Sequence, residues 1–175
     1  MSELLSGLPA ALPTEIRTLR LRLPLVTPDE AADMLAGRRH PAWHAEYPRT
    51  DDVDAASMVR AGQTWGPRHI VRAFDGLVVG GVGFFGPPDE AVDGAAPEAE
   101  VGYGLVSDAR GHGAATEALK GLLVESDRLG VRVRASVDPS NRASVRVLAK
   151  AGFTELRGTD DQGQLVMARP VPTPP

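Results

Sequence analysis

Cysteine is absent from the 175 residues. Disulfides, thiol nucleophiles and thiolate metal sites are therefore excluded, and a reducing compartment suits the chain. Long apolar runs are absent too. No stretch approaches the roughly 20 residues that a membrane-spanning helix needs. The N-terminus lacks a basic segment followed by an apolar one, so no secretory signal is expected and the cytoplasm is the expected location. Excess positive charge is also missing. The net charge is −4, which argues against a nucleic-acid partner, since those binders carry a basic patch or stripe. Arg132 and Arg134 form only a local basic pair. No internal repeat is present. The remaining composition, 42% hydrophobic and 24% charged, is that of a globular domain, and the length suits one domain with a sizeable core.

Residues 1–13 read as a flexible arm, 14–170 as a single domain and 171–175 as a Pro-rich tail. Alternation over 16–26 predicts a strand with Leu19, Leu21, Leu23 and Leu25 on its buried face. Thr27 is a suitable N-cap for a helix that opens with Pro28, Asp29 and Glu30. An irregular linker, 37–52, carries Trp43 and Tyr47, and a second helix is expected over 52–62. Residues 68–86 read as a hairpin turning at Asp75-Gly76. A strand at 99–106, a helix at about 113–129, a strand at 131–137, a helix at 141–152 and a final strand pair complete the chain. Leu119, Leu122, Leu123, Ser126 and Leu129 share one face of the longer helix. The order β-α-α-β-β-β-α-β-α-β-β predicts an α/β (α+β) fold. Its sheet would be mixed and partly parallel, with six to seven strands and about four flanking helices.

The segment "SDARGHGAATEALKGLL", starting at Ser107, follows a strand and opens a helix. A helix N-terminus presents unpaired N–H groups and a partial positive charge. Gly111 and Gly113 would let backbone donors approach an anion closely, and Arg110 would add charge. A plain glycine turn would leave the same trace. Two familiar phosphate motifs are absent. Ala114-Ala115 follows Gly113 where a P-loop needs Lys-Ser/Thr, and Thr116 stands where a dinucleotide fingerprint needs its third glycine.

What remains is R-x-x-G-x-A, as Arg110, Gly113 and Ala115. It resembles the acyl-CoA pyrophosphate loop of the GNAT acetyltransferase superfamily. "EAEVGYGLVSDARGHGAATEALKGLL" is similar to that superfamily's strand, loop and helix around the cofactor, and "NRASVRVLAKAGF" to its following helix. The wording resembles the branch that includes ribosomal-protein N-terminal acetyltransferases. The resemblance implies acetyl-CoA as cofactor and a fold covering about 16–170. It implies that Arg110, Gly111, His112, Gly113, Ala114 and Ala115 hold the pyrophosphate. Leu105 and Val106 would pair with the pantetheine arm as an added strand, entering where this strand splays from its neighbour. Asn141 and Ser144 would contact the arm and thioester.

The implied reaction is direct attack of a neutral primary amine on the thioester. The amine must lose a proton first, so Glu100 is the first candidate base and Glu98 a weaker one. A solvated or ion-paired strand residue is the alternative for both. Ser144 could donate to the leaving sulfur. The family's usual tyrosine is missing from "VRVLAKAGF", and Tyr103 is a candidate to replace it. Trp43, Tyr47, Trp65 and Tyr103 are candidate walls of the acceptor pocket, with ordinary packing as the alternative. His40 and His44 have a metal-binding spacing, but Pro41 between them argues against it and no metal is expected. The expected acceptor is a small amine or a protein N-terminus, and a homodimer is left open. A catalytically silent acyl-CoA-binding domain and a nucleotide-binding module of another fold are the rival readings.

Overall fold

The computed structural model describes residues 10–90 and 93–170. Two strands come first, β1 (Glu15–Arg17) and β2 (Leu21–Pro24), then two helices, α1 (Pro28–Leu35) and α2 (Thr50–Ala56). Three strands follow, β3 (Pro67–Arg72), β4 (Val78–Phe84) and β5 (Glu98–Leu105). After a 3-10 turn at Ser107–Ala109 come α3 (Ala114–Arg128), β6 (Arg132–Val137), α4 (Arg142–Lys150), β7 (Glu155–Thr159) and β8 (Leu165–Arg169). The strands form one sheet in the order β1-β2-β3-β4-β5-β6-β8-β7. All neighbours are antiparallel except β5 and β6, which the α3 crossover makes parallel.

That parallel junction positions the site. β5 pairs with β4 from Val101 to Leu105, but with β6 only from Glu98 to Glu100. Beyond Glu100 the two strands part, and the sheet opens into a gap at its centre.

Local chemistry explains most boundaries. α1 starts in a full capping box. Thr27 Oγ1 accepts from Glu30 N at 3.2 Å and Glu30 Oε2 accepts from Thr27 N at 2.9 Å. The Asp75-Gly76 turn closes with Gly76 at φ 72°. α3 buries Ala118, Leu119, Leu122, Leu123 and Ser126 against the sheet. Leu129 lies past its last turn and is 36% exposed, so it does not extend that face.

Three expectations need correction. The single strand over 16–26 is two strands, because the chain turns at 18–20, where Thr18 N donates to Leu21 O. Leu19 therefore points outward, 93% exposed, while Leu21 and Leu23 are buried and Leu25 is half-buried. The split raises the strand count to eight. The second helix covers 50–56 rather than 52–62, since Asp52 caps it by accepting from Arg49 N. Residues 10–13 are not a loose arm. Trp65 Nε1 donates to Ala10 O, Leu12 N to Thr64 Oγ1, and Arg68 Nη2 to Pro13 O. The rest of the expected arm (1–9) and the 171–175 tail lie outside the described residues.

Candidate active site

The glycine loop has the geometry of an anion cradle. Gly111 (φ 80°) and Gly113 (φ 78°) both occupy the left-handed region, which costs an L-residue about 1–2 kcal/mol. Gly113 is the N-cap of α3, and no side chain caps the helix there. The first helical bond runs from Glu117 N to Gly113 O, so the amides of Ala114, Ala115 and Thr116 have no intrahelical acceptor. Arg20 stands beside them. Its Nη1 donates to His112 O at 3.0 Å, and its Nε makes a 2.6 Å ion pair with Glu117. His112 itself is exposed. Nothing local in the sequence links Arg20 to a loop 92 residues away. Arg110 differs from its expected place. Its Nε donates to Leu105 O at 3.0 Å, so its side chain folds back onto the end of β5.

The gap exposes one edge of β5. Phe85 N donates to Glu100 O and Val106 N to Val79 O, so the even-numbered residues turn their peptide groups toward β4. By alternation, Tyr103 and Leu105 turn theirs toward the gap. Val106 is corrected accordingly. Its N–H bonds Val79 and its carbonyl accepts from Ala109 N, so it has no N–H to give an added strand. Asn141 caps α4, its Oδ1 accepting from Ser144 N at 3.1 Å.

A cleft of about 520 Å³ opens between the sheet, α2 and α4, and passes through the gap. Glu100, Tyr103 and Ser144 all line it. Glu100 Oε1 accepts from Ser136 Oγ at 3.1 Å, and Oε2 lies 3.4 Å from Arg134 Nε. Glu98 is tied more firmly, to Arg157 at 2.7 and 2.8 Å and to Arg134 at 3.0 Å. Burial raises its pKa, but the Arg157 and Arg134 bonds outweigh that and hold it below the usual carboxylate range. Such a group is a poor base. Tyr103 Oη meets Ser144 Oγ at 2.7 Å and donates to Ser144 O at 3.1 Å. Burial pushes the phenol pKa up, only partly offset by the Ser144 bond. The phenol missing from α4 thus reaches that helix from β5, carrying its proton.

Of the aromatic candidates, Tyr47 and Tyr103 line the cleft and the two tryptophans do not. Trp43 is buried and stacks on His40 at 4.3 Å. Trp65 is buried against Phe84 at 4.7 Å. Tyr47 Oη bonds His69 Nδ1 at 2.8 Å. His69 Nε2 stands 3.2 Å from Glu30 Oε2, out of line for a good hydrogen bond. His40 and His44 go to different carboxylates, Asp33 at 2.8 Å and Asp108 at 2.9 Å. Side-chain atoms of His44, Glu46 and Asp108 do lie within 4.8 Å of one another. They are knit together with Ser107 and tie the α1–α2 connection to the turn after β5.

Sequence reasoning missed the floor of the cleft. Arg49 makes two side-chain bonds to Asp52, each 2.9 Å, and Asp52 is 5% exposed. The pair rests on bare backbone. A Cβ on Gly81 would lie 2.5 Å from Asp52 Oδ1, and one on Gly104 would lie 2.5 Å from Arg49 Cζ. An R-x-x-D opening to α2 was the only local signal.

The GNAT acetyltransferase domain family matches residues 20–154. The chain belongs to this family and is a transferase that uses acetyl-CoA. No curated protein matches it by sequence. Solved structures share its fold. Ribosomal-protein-S5-alanine acetyltransferase from Vibrio fischeri is 15% identical, with TM-score 0.61, covering 91% of this chain and 97% of its own. RimJ of Mycobacterium smegmatis, solved with CoA-disulfide, is 24% identical, with TM-score 0.56 and coverages of 89% and 87%. The microcin C7 self-immunity acetyltransferase MccE, solved with acetyl-CoA and AMP, is 18% identical, with TM-score 0.61 and coverages of 91% and 98%. Among the described residues no helix is long and apolar enough to cross a membrane.

Proposed function

We propose that this protein is an N-acetyltransferase that passes acetyl to a primary amine, a small amine or a protein N-terminus, by direct attack in the central gap. One observation carries the reading. The parting of β5 from β6 after Glu100 brings a carboxylate, Glu100, and a hydroxyl pair, Tyr103–Ser144, to one cleft. The uncapped amides of Ala114 and Ala115, beside glycines that already hold positive φ, suit a pyrophosphate. The gap-facing edge at Tyr103 and Leu105 suits a pantetheine arm, with Arg110 releasing Leu105 O as the arm arrives. Acetyl-CoA supplies the activated acetyl group.

The protein's own groups move the protons. An α-amine with pKa about 8 is roughly one-tenth neutral at pH 7 and a lysine far less so, so a base helps. Glu100 takes that proton on a carboxylate oxygen, directly or through water. Ser136 and Arg134 orient it. Tyr103 and Ser144 hold a proton on Oη and Oγ for the departing sulfur, a modest demand since a thiol's reference pKa is about 8.5.

The test is thiol release from acetyl-CoA against a panel of amines, with the acetylated nitrogen located by mass spectrometry. Turnover with a primary amine is the expected result. A chain that melts higher with acetyl-CoA but acetylates no amine would instead be a silent binding domain. At ligand near 100 times its Kd the expected stabilisation is about 2.7 kcal/mol.

A further inference from the structure

We infer that Arg49 Nη1 is a specificity-determining donor that reads an oxygen next to the acceptor's amine. The preferred acceptors are then α-aminoacyl compounds, not plain alkylamines. This rests on the transferase reading above. Arg49 carries five N–H donors in a planar fork. Nε and Nη2 serve Asp52. Nη1 makes no hydrogen bond among the described residues, and it is not shut away from solvent like the buried unpaired nitrogens of Arg68, His69 and Arg132. Arg49 lines the cleft, and Nη1 is its atom nearest to where a Cβ on Gly104 would stand, so this free donor lies on the sheet at the floor of the space where an acceptor must sit.

The donor is fixed before any ligand arrives. Two side-chain bonds and one from Arg49 N hold it to Asp52, and the bare backbone at Gly104 supports it. Preorganisation of this kind removes the cost of ordering a long side chain on binding. Its charge is matched as well. A lone guanidinium would repel an incoming ammonium, whereas one paired with a buried carboxylate does so far less and still donates.

The position fits an aminoacyl group. Glu100, Gly102 and Gly104 share one face of β5 by alternation, about 6.6 Å apart per step and about 13 Å from first to last. The Phe85 ring covers Gly102, where a Cβ would lie 2.6 Å from Cζ. Along that face stand a carboxylate, a half-exposed aromatic ring and a guanidinium donor. An ammonium toward Glu100, a carbon skeleton on Phe85 and a carbonyl or carboxylate oxygen toward Arg49 occupy them in order. A simple alkylamine has no group for the last position.

The experiment compares alaninamide with isopropylamine, as acceptors with and without the oxygen, for the full-length protein and Arg49→Lys. Lysine keeps the charge near Asp52 but loses the fork. A hydrogen bond from a charged donor corresponds to about a ten- to hundredfold effect. The expected result is that loss in kcat/KM for alaninamide, carried mainly by KM, against less than threefold for isopropylamine. Each acceptor is compared with itself, so the difference in amine pKa cancels. Equal losses on both acceptors, or none on either, overturn the assignment and leave the transferase reading standing. No turnover of any amine by the unaltered protein overturns both. If Arg49→Lys fails to fold, Arg49→Ala/Asp52→Ala removes both charges, leaves no unpaired buried carboxylate, and is judged by the same ratio.

Discussion

Adding one methyl group at Gly104 should break the Arg49–Asp52 pair, and the size of the loss follows from what surrounds it. Gly104 lies within β5 and is not among the glycines with positive φ, so alanine there meets no backbone strain. By itself it should help, since glycine within a strand costs about 0.5–1 kcal/mol relative to alanine. The new Cβ, however, would stand 2.5 Å from Arg49 Cζ and Nη2, well inside contact distance. The guanidinium must leave, and Asp52, 5% exposed, loses its partner. Breaking a buried pair from one side costs about 3–5 kcal/mol. Arg49 keeps 21% exposure, so part of that cost is recovered by water, and a net loss of about 1–3 kcal/mol is expected. Urea denaturation of Gly104→Ala measures it directly, as a fall in midpoint at unchanged slope. In the Arg49→Ala/Asp52→Ala background the same change should be neutral or stabilising by about 0.5 kcal/mol, because only the glycine cost remains. An equal loss in both backgrounds would refute the reasoning, since the clash would then lie elsewhere.

Gly113→Asp should abolish acetyl-CoA binding by titration calorimetry while the protein stays folded. Its carboxylate would claim the free amides and meet Arg20, whose Nη2 is 3.5 Å from the Cβ position; unchanged affinity would show that the cradle is elsewhere. Glu100→Gln should lower kcat/KM most at low pH, with the gap narrowing as more amine becomes neutral by itself; a constant offset across pH would reduce Glu100 to a positioning role. Burial raises the Glu30 pKa, but the adjacent His69 ring and the Thr27 bonds outweigh that and lower it from 4.5 to about 2. A depressed carboxylate stabilises above its unfolded pKa and loses that contribution as pH falls toward the folded value. Glu30→Gln should therefore cost about 1–2 kcal/mol at pH 7, after discounting for partial exposure, and almost nothing near pH 2. Parallel melting curves against pH for the two proteins would contradict this.

The parts of the site that were legible in the sequence are those built from neighbours along the chain. The glycine loop is one: Gly111, Gly113 and the helix after them are contiguous, and their conformation follows from local sterics. The capping box of α1 is another. Edge parity was not legible. Whether Val106 or Tyr103 faces the gap depends on the register of β5 on β4, which pairs Gly104 with Gly81 and leaves no trace in β5 itself. For the two tryptophans the packing alternative holds, for a related reason. Trp43 and Trp65 sit in a polar, proline-punctuated part of the chain, yet both are drawn into the core, Trp65 by a bond to Ala10 that lies 55 residues away. The first strand misled through its own regularity. Leu19 continues the alternation of Leu21 and Leu23 perfectly, and only the Thr18–Leu21 turn takes it out to solvent.

The glycines of "VVGGVGFF" and "EVGYGL" look, from sequence, like weaknesses in two strands. Register turns them into a design. Gly81 pairs with Gly104 and Gly83 with Gly102, while Val82 pairs with Tyr103 and Phe84 with Val101. Opposite residues share a face, so across these four pairs one face of the β4–β5 ribbon is all glycine, while the other carries valine, phenylalanine and tyrosine together with the Gly80–Leu105 pair. Val82, Phe84 and Val101 of the large face pack into the core, and Tyr103 reaches the cleft. The bare face would cost about 2–4 kcal/mol for four strand glycines, and three of them have cleft residues where a Cβ would be: Asp52 over Gly81, Phe85 over Gly102 and Arg49 over Gly104. Side chains from the α1–α2 connection, from α2 and from the end of β4 can thereby lie directly on backbone, beside the point where β5 leaves β6. The same strand that exposes its edge to the gap thus lowers its own surface to admit the groups that face an acceptor. A fuller side chain at any of these three positions would lift those groups off the sheet and narrow the cleft where the amine must pass.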